Sequence, residues 1–190
     1  MKQQKKMFIS IGLSGSGKSH YWKNNFLKDF PDVDKFLVKK RLNLSDLIVC
    51  PDNIRIEVCG DVNSHEREGL VWFLVKERMS QKLKKYNYVI LDATNTVGSG
   101  RRFLKGYSTI HKTLIIFEPN IQLSLERITN DINSDVERSN VGEELLLMQF
   151  ENFRNSVVNN QKWDGVWNES TKKRIEDNLL SQDYDAILFV

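Results

Sequence analysis

Short apolar runs alternate along the chain with stretches whose apolar positions recur every three or four residues. The first pattern predicts buried strands, the second amphipathic helices. Residues 7–11 (Met-Phe-Ile-Ser-Ile) read as a strand, and 18–29 as a helix stopped near Pro31. Residues 36–47 mix basic and apolar positions and read as an irregular insert or short helix, with Lys39, Lys40 and Arg41 on a solvated face. A second strand at 47–50 ends at Pro51 and Asp52, and 57–63, with Gly60, reads as a loop. Ser64 is placed to cap a helix running to about Lys85, although Arg67 stands where a capping box has an acid. That helix carries Leu70, Val71, Leu74, Val75 and Met79 at helical spacing.

The rest repeats the scheme. A strand at 88–92 ends in Asp92, and Thr94, Asn95 and Thr96 turn the chain into a helix from Gly98 to Ser108, weakened by three glycines. A strand at 112–117 is closed by Glu118 and Pro119, and a short helix follows at 121–129. Residues 130–140 are polar and expected to be mobile. A helix at 141–155 puts Leu146, Phe150 and Phe153 on one stripe. Residues 159–182 are polar, with Trp163 and Trp167 suited to packing, and 185–190 is a last strand. Strands separated by helices predict an α/β fold: a five-stranded, mainly parallel sheet with helices on both faces and a helical lid at about 127–141. No repeat or linker interrupts the pattern, so residues 1–190 are expected to form one domain.

Composition narrows this little. The 190 residues suffice for one proper core, and 40% hydrophobic with 28% charged residues is ordinary for a soluble globular chain. The net charge of +3 allows a polyanionic substrate without arguing for broad coating of nucleic acid. Cys50 and Cys59 lack metal-ligand spacing, and Cys50, in an apolar run, reads as a buried thiol rather than half of a disulfide. The apolar run behind the charged N-terminus is too short for a signal peptide, and no stretch approaches membrane-spanning length. The expectation is a soluble cytoplasmic protein with no membrane partner.

The chemistry enters at Gly12-Leu13-Ser14-Gly15-Ser16-Gly17-Lys18-Ser19, a glycine, four free residues and then Gly-Lys-Ser, between a predicted strand and a predicted helix. That is the phosphate-loop pattern in its proper context. Gly12, Gly15 and Gly17 let the backbone approach a phosphate, and the N–H groups of the loop, Ser14 and Ser16 included, form an anion nest at a helix start. Lys18 is expected at the β- and γ-phosphates and Ser19 on Mg²⁺. The reading is a nucleoside triphosphate site, with His20, next along the helix, counted among its residues. His20, His65 and His111 show no metal or triad spacing and also suit surface or capping roles.

In a parallel sheet the ligand lies beyond the C-terminal strand ends. Asp52 stands just past the second strand with Arg55 three residues on. There an Asp can take the proton of an attacking hydroxyl, and an Arg one turn later can hold an anionic group of the acceptor. The same pair also fits a helix cap and a surface Arg. Asp92 can help hold Mg²⁺ or cap the next helix, and Asn95 is a candidate substrate contact on the same edge. Arg127 and Arg138 fit a lid that closes on transferring phosphate, or equally a helix C-terminus and a solvated charge.

Taken in order, these motifs resemble the polynucleotide 5′-kinase family, the P-loop kinase module of bacteriophage and bacterial end-healing enzymes. The resemblance rests on residues 12–19, on Pro51-Asp52-Asn53-Ile54-Arg55, on the helix 71–78 followed by Val89-Ile90-Leu91-Asp92-Ala93-Thr94-Asn95, and on Arg127 with Glu137-Arg138-Ser139-Asn140-Val141. It implies a kinase acting in nucleic acid repair that uses ATP, or another NTP, with Mg²⁺. Lys18 and Ser19 would bind the donor. Asp52 would be the general base for the 5′-hydroxyl of RNA or DNA, Arg55 would grip the acceptor strand through a phosphate, and Arg127 and Arg138 would clamp the donor phosphates. The companion phosphatase or ligase domain of many such enzymes is not expected here, and residues 29–47 do not align. A small-molecule kinase of the same fold, and a nucleotide-binding switch without transfer chemistry, are the alternatives.

Overall fold

The computed structural model describes residues 4–134 and 141–190. Among them lies one parallel sheet of five strands in the order β2-β3-β1-β4-β5: β1 Lys6–Ile11, β2 Ile48–Val49, β3 Tyr88–Leu91, β4 His111–Ile116 and β5 Ala186–Phe189. β1 is central, with Phe8 beside Ile90 of β3 and Thr113 of β4. The strands are continuous apolar runs because the sheet is covered on both sides.

Alternation of side chains gives each face its own core. One face carries Phe8, Tyr88, Ile90, Ile115 and Phe117 under α1 Lys18–Asn24, α2 Phe26–Asp29 and α3 Pro31–Lys40. Its packing is aromatic: the Phe8 ring lies 4.9 Å from Phe26 and 4.6 Å from Phe30. The other face carries Met7, Ile9, Ile11, Leu91, Leu114 and Ile116. It is covered by α5 Glu68–Lys85, whose buried stripe is Val71, Val75, Met79 and Leu83, and by α8 Glu169–Leu180 with Ile175 and Leu179. Two further helices, α6 Ile121–Asn133 and α7 Glu143–Phe153, pack over the phosphate loop, where Leu13 joins Ile128, Val141 and Leu146 in a separate apolar cluster.

Several elements differ from the pattern-based expectation, each for a local reason. The helix expected over 18–29 breaks at Asn25, and the short α2 keeps Phe26 on the sheet. Pro31 starts α3 rather than stopping the chain, since its fixed φ suits a first helical turn and its missing N–H is no loss there. The insert is therefore mostly helix. Pro51 likewise opens α4, Pro51–Cys59, which absorbs the front of the expected loop and stops at Gly60, whose φ of 75° is left-handed. Arg67, not Ser64, is the N-cap residue of α5. Residues Ser99–Tyr107 form a 3₁₀ helix: three residues per turn stack buried Arg101 over buried Leu104, where three glycines disfavour an α-helix. The polar stretch 159–182 contains α8, capped by the Asn168 side chain accepting from the Thr171 N–H at 2.9 Å. Trp163 is a packing residue, stacked on Phe150 at 5.5 Å. Among the described residues no helix is long and apolar enough to cross a membrane, and both cysteines are free thiols.

Candidate active site

The phosphate loop leaves β1 at the middle of the sheet and is tied to the strand beside it. The Gly12 N–H donates to the Thr94 carbonyl at 3.0 Å, the Ser10 hydroxyl donates to the Ala93 carbonyl at 2.8 Å, and the Asn95 amide donates to the Ser10 carbonyl at 2.9 Å. These bonds register the end of β1 against the residues after β3. Asn95, expected as a substrate contact, is buried and holds this junction from a left-handed φ of 49°.

Two glycines carry the turn. Gly15 has φ 76°, and a Cβ there would lie 2.6 Å from the Ser124 carbonyl oxygen of α6. Gly17, at the mouth of α1, has φ 97°. The close approach explains why only glycine fits where the loop meets α6. From α7 the buried Gln149 grips the tip of the loop: its carbonyl accepts from the Ser14 N–H at 2.8 Å and its amide donates to the Ser14 hydroxyl at 3.1 Å.

Lys18 projects back into the loop, donating to the Leu13 carbonyl at 2.6 Å and the Gly12 carbonyl at 3.2 Å. Ser19 and His20 are exposed in the first turn of α1. The His20 carbonyl accepts from the Asn24 amide at 3.0 Å. Arg127, exposed on α6, reaches over the loop and donates to the Gly15 carbonyl at 3.2 Å. The arginine expected as a lid residue is thus at the phosphate loop. Arg138 lies outside the described residues.

Asp92 follows β3, and its N–H donates to the Val49 carbonyl at 3.0 Å. Burial pushes its carboxyl above the ordinary range, against the pull of the Lys18 ammonium, the Trp22 indole and the Ser10 hydroxyl; the negative charge of Asp52 adds to the rise. These influences put both Lys18 and Asp52 within electrostatic reach of Asp92. Cys50 stands beside both carboxylates, and burial first, then Asp92, pushes its thiol up to about 11, so it is neutral at physiological pH.

Asp52 sits in the first turn of α4 with about half of its side chain exposed. Arg55, one turn on, is 5% exposed. Its Nη1 donates to the Asp52 carboxylate at 2.5 Å, and its Nε and Nη2 donate to the Glu68 carboxylate at 3.0–3.1 Å. Glu68, at the start of α5, also accepts from the Trp72 indole at 2.9 Å and has the His65 ring at 3.5 Å. Burial raises the Glu68 carboxyl, but the hydrogen bonds and charge of Arg55, with His65 and Trp72, outweigh it and hold the group below its ordinary range. The sequence pattern singled out Asp52 and Arg55 but not Glu68 or Gln149, which the structure brings to them and to the phosphate loop. Glu68 is 13 residues from Arg55 in sequence and carries no motif. Gln149 stands 135 residues from Ser14.

For a divalent cation, Ser19 is exposed in the first turn of α1 with no hydrogen bond from its hydroxyl among the described residues, and Asp92 offers a carboxylate within electrostatic reach of the adjacent Lys18. Those residues also show no cluster of three or more His, Cys, Asp or Glu side chains able to hold a metal. Ser19 and Asp92 fit the sparse protein share of a Mg²⁺ site, whose remaining oxygens come from phosphates and water.

The strand order, the phosphate loop on the central strand and the helices over it define the P-loop kinase fold. A solved structure, the Pnkp1/Rnl/Hen1 RNA repair complex, contains a chain similar to this one with a TM-score of 0.60 and 17% identity, over 81% of this chain and 45% of that one. This chain therefore spans less than half the length of that neighbour. A gluconokinase from Sinorhizobium meliloti 1021 matches more loosely, with a TM-score of 0.45 and 13% identity over 96% of this chain and 95% of that one. No family model and no curated protein matches the sequence.

Proposed function

We propose that this protein is an ATP-dependent phosphotransferase whose acceptor is the 5′-hydroxyl end of an RNA or DNA strand. The observation that carries the reading is the exposed Asp52 carboxylate, held by buried Arg55 and by Glu68, within electrostatic reach of Asp92, which is itself coupled to Lys18. A hydroxyl approaching the γ-phosphate would give its proton to Asp52 as its oxygen bonds to phosphorus. The bond between the γ-phosphorus and the β–γ bridging oxygen breaks, and the diphosphate leaves. Lys18 and the loop N–H groups stabilise charge on the phosphates, and Arg127 supplies a cation from α6. Mg²⁺, held by Ser19 and Asp92 with the nucleotide, would neutralise phosphate charge. The likeness to a chain of an RNA repair complex supports a nucleic acid acceptor.

One observation favours the second reading, a kinase for a small molecule. Arg55 is buried and its donors are engaged by Asp52, Glu68 and the Val62 carbonyl. In this arrangement it orients Asp52, and an acceptor strand must find its phosphate contacts elsewhere. The two readings separate in one experiment: transfer from γ-labelled ATP to a panel of 5′-hydroxyl RNA, 5′-hydroxyl DNA, nucleoside 3′-phosphates, nucleotide sugars and gluconate. Label on the oligonucleotides at lower concentration than on any small molecule is the expected result. Label confined to small molecules would establish the second reading. Tight ATP binding with no labelled acceptor would leave a nucleotide-binding module.

A further inference from the structure

A second charged site lies away from the phosphate loop. A cavity of about 400 Å³ opens beside the 3₁₀ segment 99–107 and α8. Arg101, Arg102 and Lys105 of the 3₁₀ segment, Lys112 of β4, Asn178 of α8 and Tyr184 line it. Lys112 shares a sheet face with Leu114 and Ile116, and it lies at the start of a strand parallel to β1. The cavity thus reaches the sheet edge opposite the one from which the phosphate loop leaves.

Its charge is one-sided. Four cations line it and no carboxylate does, among the described residues. Two of the four are deep, Arg101 at 2% and Lys112 at 3% exposure. Arg101 donates to the backbone carbonyls of Asn95, at 2.5 Å, and Ser156, at 3.1 Å, while its Nε is buried without a partner. Burial pulls this guanidinium below its ordinary value, and the neighbour that opposes the pull is the Tyr184 phenol, not an acid. The Lys112 backbone N–H donates to the Asp185 carboxylate at 2.7 Å, but its ammonium has no hydrogen bond or ion pair among the described residues. Buried charges are ordinarily paired, because an unpaired one forfeits its hydration with nothing in return. Lys112 is such a charge, and Arg101 beside it has its Nη atoms engaged by Asn95 and Ser156 while its charge meets no acid; together they leave a position for a multiply charged anion.

We propose that this cavity binds a small phosphate-bearing molecule, its anionic oxygens on Arg101 and Lys112 and with Arg102 and Lys105 at the mouth. Phosphate suits the donors, since the three N–H groups of the Lys112 ammonium and the unpartnered Nε–H of Arg101 together satisfy several oxygens of one tetrahedral group. The volume falls in the range of small-molecule sites and exceeds what a bare oxyanion fills, so the phosphate is carried on a larger body. This site uses none of the phosphate-loop residues, and it meets the loop junction only through the Arg101 bond to the Asn95 carbonyl.

The test uses the full chain with its phosphate loop first saturated by Mg²⁺ and a non-hydrolysable ATP analogue. Inorganic pyrophosphate and glycerol 3-phosphate are then titrated, with binding read by calorimetry and by thermal unfolding. The expected result is saturable binding of the ester at one site per chain. In Lys112→Met the affinity should fall about tenfold or more, the loss of a charge-assisted hydrogen bond. The same variant, freed of an uncompensated buried charge, should melt higher than the parent in anion-free buffer. A lysine with a merely structural role would melt lower on substitution. Should Lys112→Met not fold, the exposed pair Arg102→Gln and Lys105→Gln remains, with an expected loss of about two- to fivefold in affinity. Saturable binding of pyrophosphate but not the ester would overturn the larger ligand. Absence of saturable binding by either probe, or binding unchanged in both variants, would overturn the site.

Discussion

The phosphate loop and the Asp52 side of the cleft present their chemistry in different ways. The loop, Gly12 to Ser19, offers mostly backbone, shaped by two left-handed glycines and one close approach to α6. The Asp52 side offers one carboxylate, and its position depends on a chain of side chains: Asp52 on Arg55, Arg55 on Glu68, Glu68 on Trp72 and His65. A backbone-built half keeps its geometry when a side chain changes. A side-chain-built half is only as well placed as the helix behind it, here α5. The difference predicts where substitutions act on binding and where they act on transfer.

The largest effect is expected at the two residues to which the proposed reaction assigns phosphate charge and the proton. Lys18→Met should reduce transfer about 10²–10³-fold or more and weaken nucleotide binding with it. Asp52→Asn should reduce turnover by about 10²–10⁴-fold with nucleotide affinity unchanged. Steady-state rates and nucleotide titration on both variants make the comparison. A matching loss of nucleotide affinity in Asp52→Asn would merge the two halves.

Next comes Glu68→Gln, which leaves buried Arg55 short of a counter-charge. Stability should fall by about 1–3 kcal/mol, less than for a fully buried pair because Glu68 keeps about a third of its side-chain surface in water. Turnover should fall as Asp52 loses its brace, with nucleotide affinity kept. The folded-state pKa of Glu68 is depressed, so its contribution is present above the unfolded value of about 4.5 and is lost as pH falls through the lower folded one. Thermal unfolding from pH 6 to pH 3 should therefore show a smaller acid-induced drop in Glu68→Gln than in the parent.

The smallest effect should come from Gln149→Ala, which removes two hydrogen bonds from Ser14. About 1–2 kcal/mol of stability and a modest rise in the nucleotide dissociation constant are expected, with turnover at saturating nucleotide little changed. A large loss of turnover would instead give α7 a part in the reaction itself.

The two halves also differed in how far the chain alone revealed them. The loop was legible because its glycines answer a local demand, positive φ and no Cβ, and because strand, loop and helix follow one another in sequence. Asp52 and Arg55 were visible as a pair, but the role of Arg55 was not. Its burial and its carboxylate partners depend on α5 docking beside α4, which adjacent residues do not encode. The boundaries at Asn25 and Pro31 differ from expectation where an aromatic core turned one helix and a proline opened the next. Arg127 was expected in a lid over the donor phosphates; it lies at the phosphate loop, and its reach to Gly15 spans 112 residues of chain.

Local order along the chain was enough for the α/β alternation, the phosphate loop, Lys18 and the carboxylates past β2 and β3, since period, turn chemistry and motif spacing are properties of neighbours in sequence. Tertiary packing alone decided the strand order, the Glu68–Arg55–Asp52 ladder, the grip of Gln149 on Ser14 and the cation-lined cavity around Arg101 and Lys112. Each of these is a meeting of residues far apart in the chain, and burial and charge become informative only once the fold has brought them together.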